Sequence, residues 1–138
     1  MPQEANQAVV IRFYEELWNR WRLEIADQIL SPTFRFRGSL GSTLCGRNEF
    51  KTYVQTFRSA FPDWHNHINE ILSIDDRVIT RMTWSGTHQG KLGAIDPTGA
   101  PVEYCGAGFF RLSEQVIDEA WIVGDTQELW RALGVLVL

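Results

Sequence analysis

Asp125 stands where a tryptophan-bearing apolar strand, Ala120-Trp121-Ile122-Val123-Gly124, gives way to a helix that begins Thr126-Gln127-Glu128-Leu129-Trp130. A carboxylate at the end of a buried strand is costly to desolvate unless it is paired or put to use. Desolvation also moves a carboxyl group toward the range where it exchanges protons near neutral pH. The same position suits a helix cap, because Asp is a preferred N-cap and the turn after it needs one. Both readings stand on the residue itself. His88 is the second candidate, sharing an alternating face with Met82 and Trp84. A neutral imidazole there can hydrogen-bond a substrate carbonyl or set the protonation of a nearby carboxylate. It can equally be a satisfied structural histidine beside Gly86 and Gly90. Arg81 would stabilise enolate charge if it points into a pocket, and is a solvated or interface arginine if it does not. Tyr14 and Trp18, on the first helix, can reach a cavity, and Tyr14 would bring a hydroxyl donor. Trp84, Phe109 and Trp121 are candidate pocket walls or plain core.

The elements that must position these residues follow from periodicity. Val9, Val10, Phe13, Leu17 and Trp21 fall at helical spacing. A shorter helix is expected over about Leu23 to Leu30, stopping before Ser31-Pro32. Thr33 to Arg37 alternates like a strand, and Gly38 to Ser42 reads as a turn. A third helix opens at Gly46-Arg47 with Phe50, Tyr53, Val54 and Phe57 on one face, and ends at Phe61-Pro62-Asp63. Strands then follow one another: Trp64 to Asp75, Val78 to Gln89, Val102 to Leu112 and Val116 to Gly124. A long hairpin loop, Gly90 to Pro101, interrupts them. A last helix is expected from about Asp125 to Leu133, before an apolar tail, Val135 to Leu138. Helices first and a meander after predict an α+β domain spanning residues 1–138. Which face of the sheet carries Arg81 and Thr83 is not decided by alternation.

The bulk numbers exclude several classes. A formal charge of −4 argues against a nucleic-acid partner, which would draw on a basic surplus. No apolar run approaches a membrane span. The polar start, Met1 to Asn6, lacks a signal-peptide core, so a cytoplasmic protein is expected. Cys45 and Cys105 form no metal or redox motif and read as reduced core thiols. Six Trp, eight Phe and three Tyr are enough to line an apolar pocket as well as build a core.

Motif order adds a resemblance. Trp18-Asn19, Phe36-Arg37-Gly38-Ser39-Leu40-Gly41, Gly46-Arg47, Phe61-Pro62-Asp63, Gly86-Thr87-His88-Gln89-Gly90, Pro97-Thr98-Gly99, Arg111 and Trp121…Asp125…Leu129 together resemble the SnoaL-like polyketide cyclases. These belong to the NTF2-like, or cystatin-like cone, superfamily. The resemblance implies a curved antiparallel sheet forming a cone, closed by N-terminal helices and ending in a short C-terminal helix. It implies a deep apolar pocket, a homodimer, and an intramolecular aldol condensation that needs no metal or organic cofactor. Asp125 matches the family's acid/base, with His88 as its helper. Tyr14, Trp18, Arg81, Trp84, Phe109 and Trp121 would contact the apolar substrate. The chain departs from the family at Gly108, where many relatives carry an acidic residue. That glycine either leaves room for a larger ligand or marks incomplete cyclase machinery.

Other readings remain beside this one. An NTF2-like domain can bind a small molecule or dimerise without catalysis. A limonene-type epoxide hydrolase would need an Asp two residues after Arg81, where Thr83 stands. A ketosteroid-isomerase-like enzyme fits Tyr14 but finds no carboxylate near Phe36–Ser39. A metal site would have to join His65, His67 and His88, and no acidic or cysteine partner has ligand spacing.

Overall fold

The computed structural model describes residues 2–135. The first helix, α1 (Pro2–Arg12), runs on into a π-helical turn, Phe13–Trp18, instead of continuing as α-helix to Trp21. The Asn19 amide bonds back five residues to the Tyr14 carbonyl, the signature of that wider turn. Trp21 then takes a left-handed backbone (φ 55°), which ends the helix sharply. The expected second helix splits into a 3-10 turn (Leu23–Ile25) and a short α2 (Ala26–Ile29). Leu30 already belongs to β1 (Leu30–Arg37), so the strand begins earlier than alternation indicated. A short edge strand absent from the sequence reading, β2 (Thr43–Cys45), pairs with β1 and leads to α3 (Arg47–Ala60).

The remaining strands lie close to where alternation placed them: β3 (His65–Ile74), β4 (Arg77–Thr87), β5 (Pro101–Ser113) and β6 (Val116–Gly124). The closing helix is α4 (Thr126–Ala132). Of the apolar tail only Val135 falls within the described residues. The sheet is curved and open, ordered β2-β1-β6-β5-β4-β3. All neighbours are antiparallel except β1 and β6, which run parallel.

One face of this sheet is dry. Val78, Thr80, Met82 and Trp84 of β4 point inward with Val102, Tyr104, Phe110 and Leu112 of β5 and Ala120 and Ile122 of β6. The first helix packs over β3, β4 and β6, and α3 covers β1. Phe13, Phe34 and Phe50 meet at the centre, all fully buried. Each such ring contributes about 1.5–3 kcal/mol through apolar burial. No helix among the described residues is long and apolar enough to cross a membrane. Both cysteines are free and exposed, on outward positions of β2 and β5, which corrects the expectation of core thiols.

Gly106 of β5 packs directly against β6 and the Trp84 ring. A Cβ there would stand 2.1 Å from the Val123 carbonyl oxygen and 2.5 Å from the Trp84 ring. The carbonyl is backbone and cannot swing aside. Gly106→Ala is therefore expected to destabilise the fold by at least about 2 kcal/mol, in the overpacking range, measured by equilibrium denaturation.

Candidate functional site

The π-helical turn sets a broad inner face, with Phe13, Tyr14, Leu17 and Trp18 all buried. Such turns recur at functional sites because they redirect side chains that a regular helix would spread. Phe13, Tyr14 and Trp18 form one wall of a cavity. Phe57 and Tyr53 of α3 form another, and Trp64, Trp84, Tyr104 and Ile122 close it from the sheet side. The rings brace one another edge to face, as in Trp18 on Phe57 (5.7 Å) and Trp64 on Phe57 (4.6 Å). Gly38 and Ser39 complete the lining beside the half-buried Tyr53. The cavity measures about 40 Å³. That is room for roughly three waters. A larger ligand must move side chains to enter.

Polar groups in the wall are few and neutral. All three tyrosines of the chain line it. Burial pushes the Tyr104 hydroxyl up to about 12, partly offset by its 2.9 Å hydrogen bond with Ser39 Oγ. Burial likewise raises Tyr14, opposed by the neighbouring Thr80 hydroxyl, and raises Tyr53, with Tyr104 adding to the shift. Near neutral pH all three are protonated donors. Asn66 contributes an amide held in place from the first helix. Asn19 Oδ1 accepts from both the Asn66 backbone N–H (2.8 Å) and its Nδ2 (2.9 Å), and Asn19 Nδ2 donates to the Asn66 carbonyl (3.0 Å).

The structure separates the sequence candidates into three groups. Tyr14, Trp18 and Trp84 line the cavity. Arg81, Phe109 and Trp121 do not, because all three lie on the exposed outer face. Their pocket-lining placement is thus corrected. Arg81 makes a loose ion pair with Glu70 at 3.7 Å, in solvent. On β5 the inward ring is Phe110, which pairs across the sheet with inward Val78, whereas Phe109 pairs with Ile79. Trp121 is flanked by inward Ala120 and Ile122 and stacks under Arg37 at 5.0 Å.

Asp125 and His88 form the third group. Asp125 occupies the N-cap position of α4, but its carboxylate makes no capping bond. Its side chain is exposed, so the desolvation expected of a buried strand end is not present. Its backbone N–H bonds to Cys105 O at 2.8 Å, and the preceding Gly124 sits against the Trp84 and Tyr104 rings. Asp125 therefore stands just outside the wall. His88 is fully buried yet is not among the cavity-lining residues. Its Nδ1 accepts the Thr98 amide (3.2 Å) and meets Thr98 Oγ1 at 3.0 Å, which places the ring proton on Nε2. The backbone pairs with Ala100 and Gly99 as well, and the ring packs 5.5 Å from Phe61. His88 clamps the Gly90–Pro101 loop. His65 and His67 are exposed on the opposite face, and no metal-holding cluster of His, Cys, Asp or Glu occurs among the described residues.

Sequence reasoning passed over Tyr53 and Tyr104 as site residues. Alternation from Val102 through Tyr104 carried the signal for one, and the Phe50–Phe57 helical stripe for the other. Gly108 also needs correction. Its missing side chain opens no room, because the Phe110 ring and the Tyr14 and Thr80 hydroxyls fill the space to within 3 Å of where a Cβ would lie.

Two outcomes follow. A phenol raised above its unfolded value stabilises the fold fully below the unfolded value, and that contribution is lost as pH climbs through the folded one. Stability should thus fall from about pH 10 upward. Tyrosinate absorbance should appear together with loss of far-ultraviolet signal, not before it. His88→Ala should cost about 2 kcal/mol through the orphaned Thr98 amide and make the 90–101 loop sensitive to protease. Calorimetry and limited proteolysis measure both effects.

Comparison with known proteins places this geometry. The chain matches the family model of the SnoaL-like polyketide cyclases over residues 8–133. No curated protein sequence matches it. A SnoaL-like polyketide cyclase candidate from Jannaschia sp. CCS1 superposes with a TM-score of 0.89 at 17% identity, covering 98% of this chain and 95% of its own. AclR, a candidate hydroxylase from Streptomyces galilaeus, superposes at 0.84 with 25% identity, covering 99% and 89%. IdmH, a candidate polyketide cyclase from Streptomyces antibioticus, superposes at 0.81 with 24% identity, covering 94% and 99%. An α+β cone with an aromatic cavity, matched along nearly its whole length, makes this chain a member of the SnoaL-like polyketide cyclase family.

Proposed function

We propose that this protein is a cyclase- or isomerase-type enzyme that moves protons on an apolar, cyclic or polyketide-like small molecule, without a metal or organic cofactor. The observation that carries the reading is the aromatic cavity, whose polar groups are neutral hydroxyls and an amide. Rings in the wall orient a flat ligand and exclude water, which converts part of the barrier into binding. Phenol donors stabilise negative charge as it develops on a carbonyl oxygen. Asp125, adjoining the Trp84–Tyr104 end of the wall, is the proposed proton carrier. It would take an acidic C–H proton, the carbanion would attack an internal carbonyl to close a carbon–carbon bond, and the proton would return to the alkoxide. His88 supports this only at a distance, by holding its loop.

A second reading has its own observation. The wall contains no carboxylate or imidazole, and Asp125 is exposed, as suits a small-molecule-binding module without turnover. An aromatic ketoester able to close a ring by aldol condensation distinguishes the two. Asp125→Asn should slow its cyclisation by about 100-fold or more while leaving its affinity unchanged. Binding with no turnover by wild type would favour the module.

We also propose that the protein pairs with a second copy through the outer face of the sheet, in the cytoplasm. Leu72, Ile79, Phe109 and Trp121 stand in register across β3, β4, β5 and β6. Between 36% and 56% of each is exposed, an apolar row that a monomer rarely leaves open. Phe109→Glu with Trp121→Glu should halve the mass seen by sedimentation equilibrium. An unchanged mass would reject the pairing.

A further inference from the structure

We infer that the Tyr14 and Thr80 hydroxyls, set together over Gly108, form a subsite for one carbonyl oxygen of the ligand; the inference rests on the ligand-pocket reading above. Tyr14 comes from the π-helical turn and Thr80 from the middle of β4, directly opposite Gly108 in the β4–β5 ladder. A Cβ on Gly108 would lie 2.9 Å from each of the two oxygens, so both lean over the same bare stretch of backbone. Tyr14 is 2% exposed and Thr80 0%. No group outside the pair hydrogen-bonds either oxygen. Among the described residues only three buried side-chain polar atoms are in that condition, the third being His88 Nε2. Two of the three meet here.

A hydroxyl left unbonded in a dry site opposes folding, whereas Phe at position 14 and Val at position 80 would fill the same shapes without that cost. The chain retains both oxygens, one on the Tyr14 ring that borders the cavity and the other on Thr80 behind that ring. The Tyr14 ring stands between the cavity and Thr80, so a ligand filling the cavity lies against that ring and would reach the two oxygens when the ring swings aside. One hydroxyl of the pair can donate to the other, which leaves one O–H donor in need of an acceptor, and a carbonyl oxygen supplies one. A carboxylate or phosphate does not fit, because no cationic side chain lines the cavity. An ammonium group does not fit either, since no anionic side chain faces it. A ketone, quinone or ester carbonyl remains. Gly108 makes the subsite possible, as any side chain there would push the pair apart.

Acetophenone and ethylbenzene test this, being alike in shape and differing in the carbonyl. Wild type should bind acetophenone more tightly, with the bound carbonyl stretch lowered relative to apolar solvent. Tyr14→Phe should weaken acetophenone by about 3- to 10-fold, abolish most of the lowering, and leave ethylbenzene unaffected. Thr80→Val should act in the same direction but less, and Thr80→Ser should restore the wild-type frequency. The Thr80 pair carries the test if Tyr14→Phe folds poorly. Equal affinity for both probes, with a carbonyl frequency that no variant changes, would overturn the subsite and leave the pocket standing. Failure of wild type to bind either probe would overturn both.

Discussion

The burial of one sheet face against the π-helical turn is the interaction on which the rest of this molecule depends. The first helix covers the inward side chains of β4 and β6, and α4 packs on β5. Its wider turn presents Phe13, Tyr14, Leu17 and Trp18 together, so the helix lays a sheet of rings on a sheet of rings. Aromatic side chains are stiff and meet at preferred angles, and they do not collapse into every gap as aliphatic chains can. A small cavity is the result. The same packing that stabilises the fold therefore creates the space in which a ligand can sit.

Polar atoms inside that space are arranged unevenly. Asn66 and Tyr104 are held by protein partners, Asn19 and Ser39, so their positions are set before any ligand arrives. Tyr14 and Thr80 have no such partner, and their hydroxyls face one another over a glycine. Burial keeps the phenols protonated, which makes them donors and rules them out as bases near neutral pH. A proton acceptor, if the chemistry is cyclisation, has to come from outside the wall. Asp125 follows the close pairing of β5 and β6, where Gly106 and Gly124 let the strands and the Trp84 ring crowd together.

His88 shows how a residue suited to chemistry can be absorbed by architecture. Its hydrogen-bonding capacity on Nδ1 goes to Thr98, and its backbone to Gly99 and Ala100. A loop of this length needs an anchor, since its backbone groups would otherwise go unpaired. The outer face of the sheet tells a similar story about arginine. Arg37 spends its guanidinium on the Trp121 ring and on the Ile122 carbonyl, and Arg81 reaches toward Glu70 in solvent.

The four strands from Trp64 onward and the helical stripes were legible in the chain because alternation and 3.6-residue spacing are local properties. Val78, Thr80, Met82 and Trp84 announce one face of a strand by themselves, and the motif order from Trp18 to Leu129 announces the family. The sequence by itself determined the α+β layout, the ring-rich interior and the family. Only the tertiary structure decided which side of each strand is the inside, since alternation is symmetric until a partner covers one face. That choice placed Phe110 within and Phe109 without, and sent Trp121 and Arg81 to the surface. It also decided the environment of Asp125, because exposure depends on where a neighbouring strand ends and not on the residues flanking the carboxylate. The π turn, the Tyr14–Thr80 contact and the packing of both hydroxyls against Gly108 arise between segments far apart in the chain. No local pattern records them.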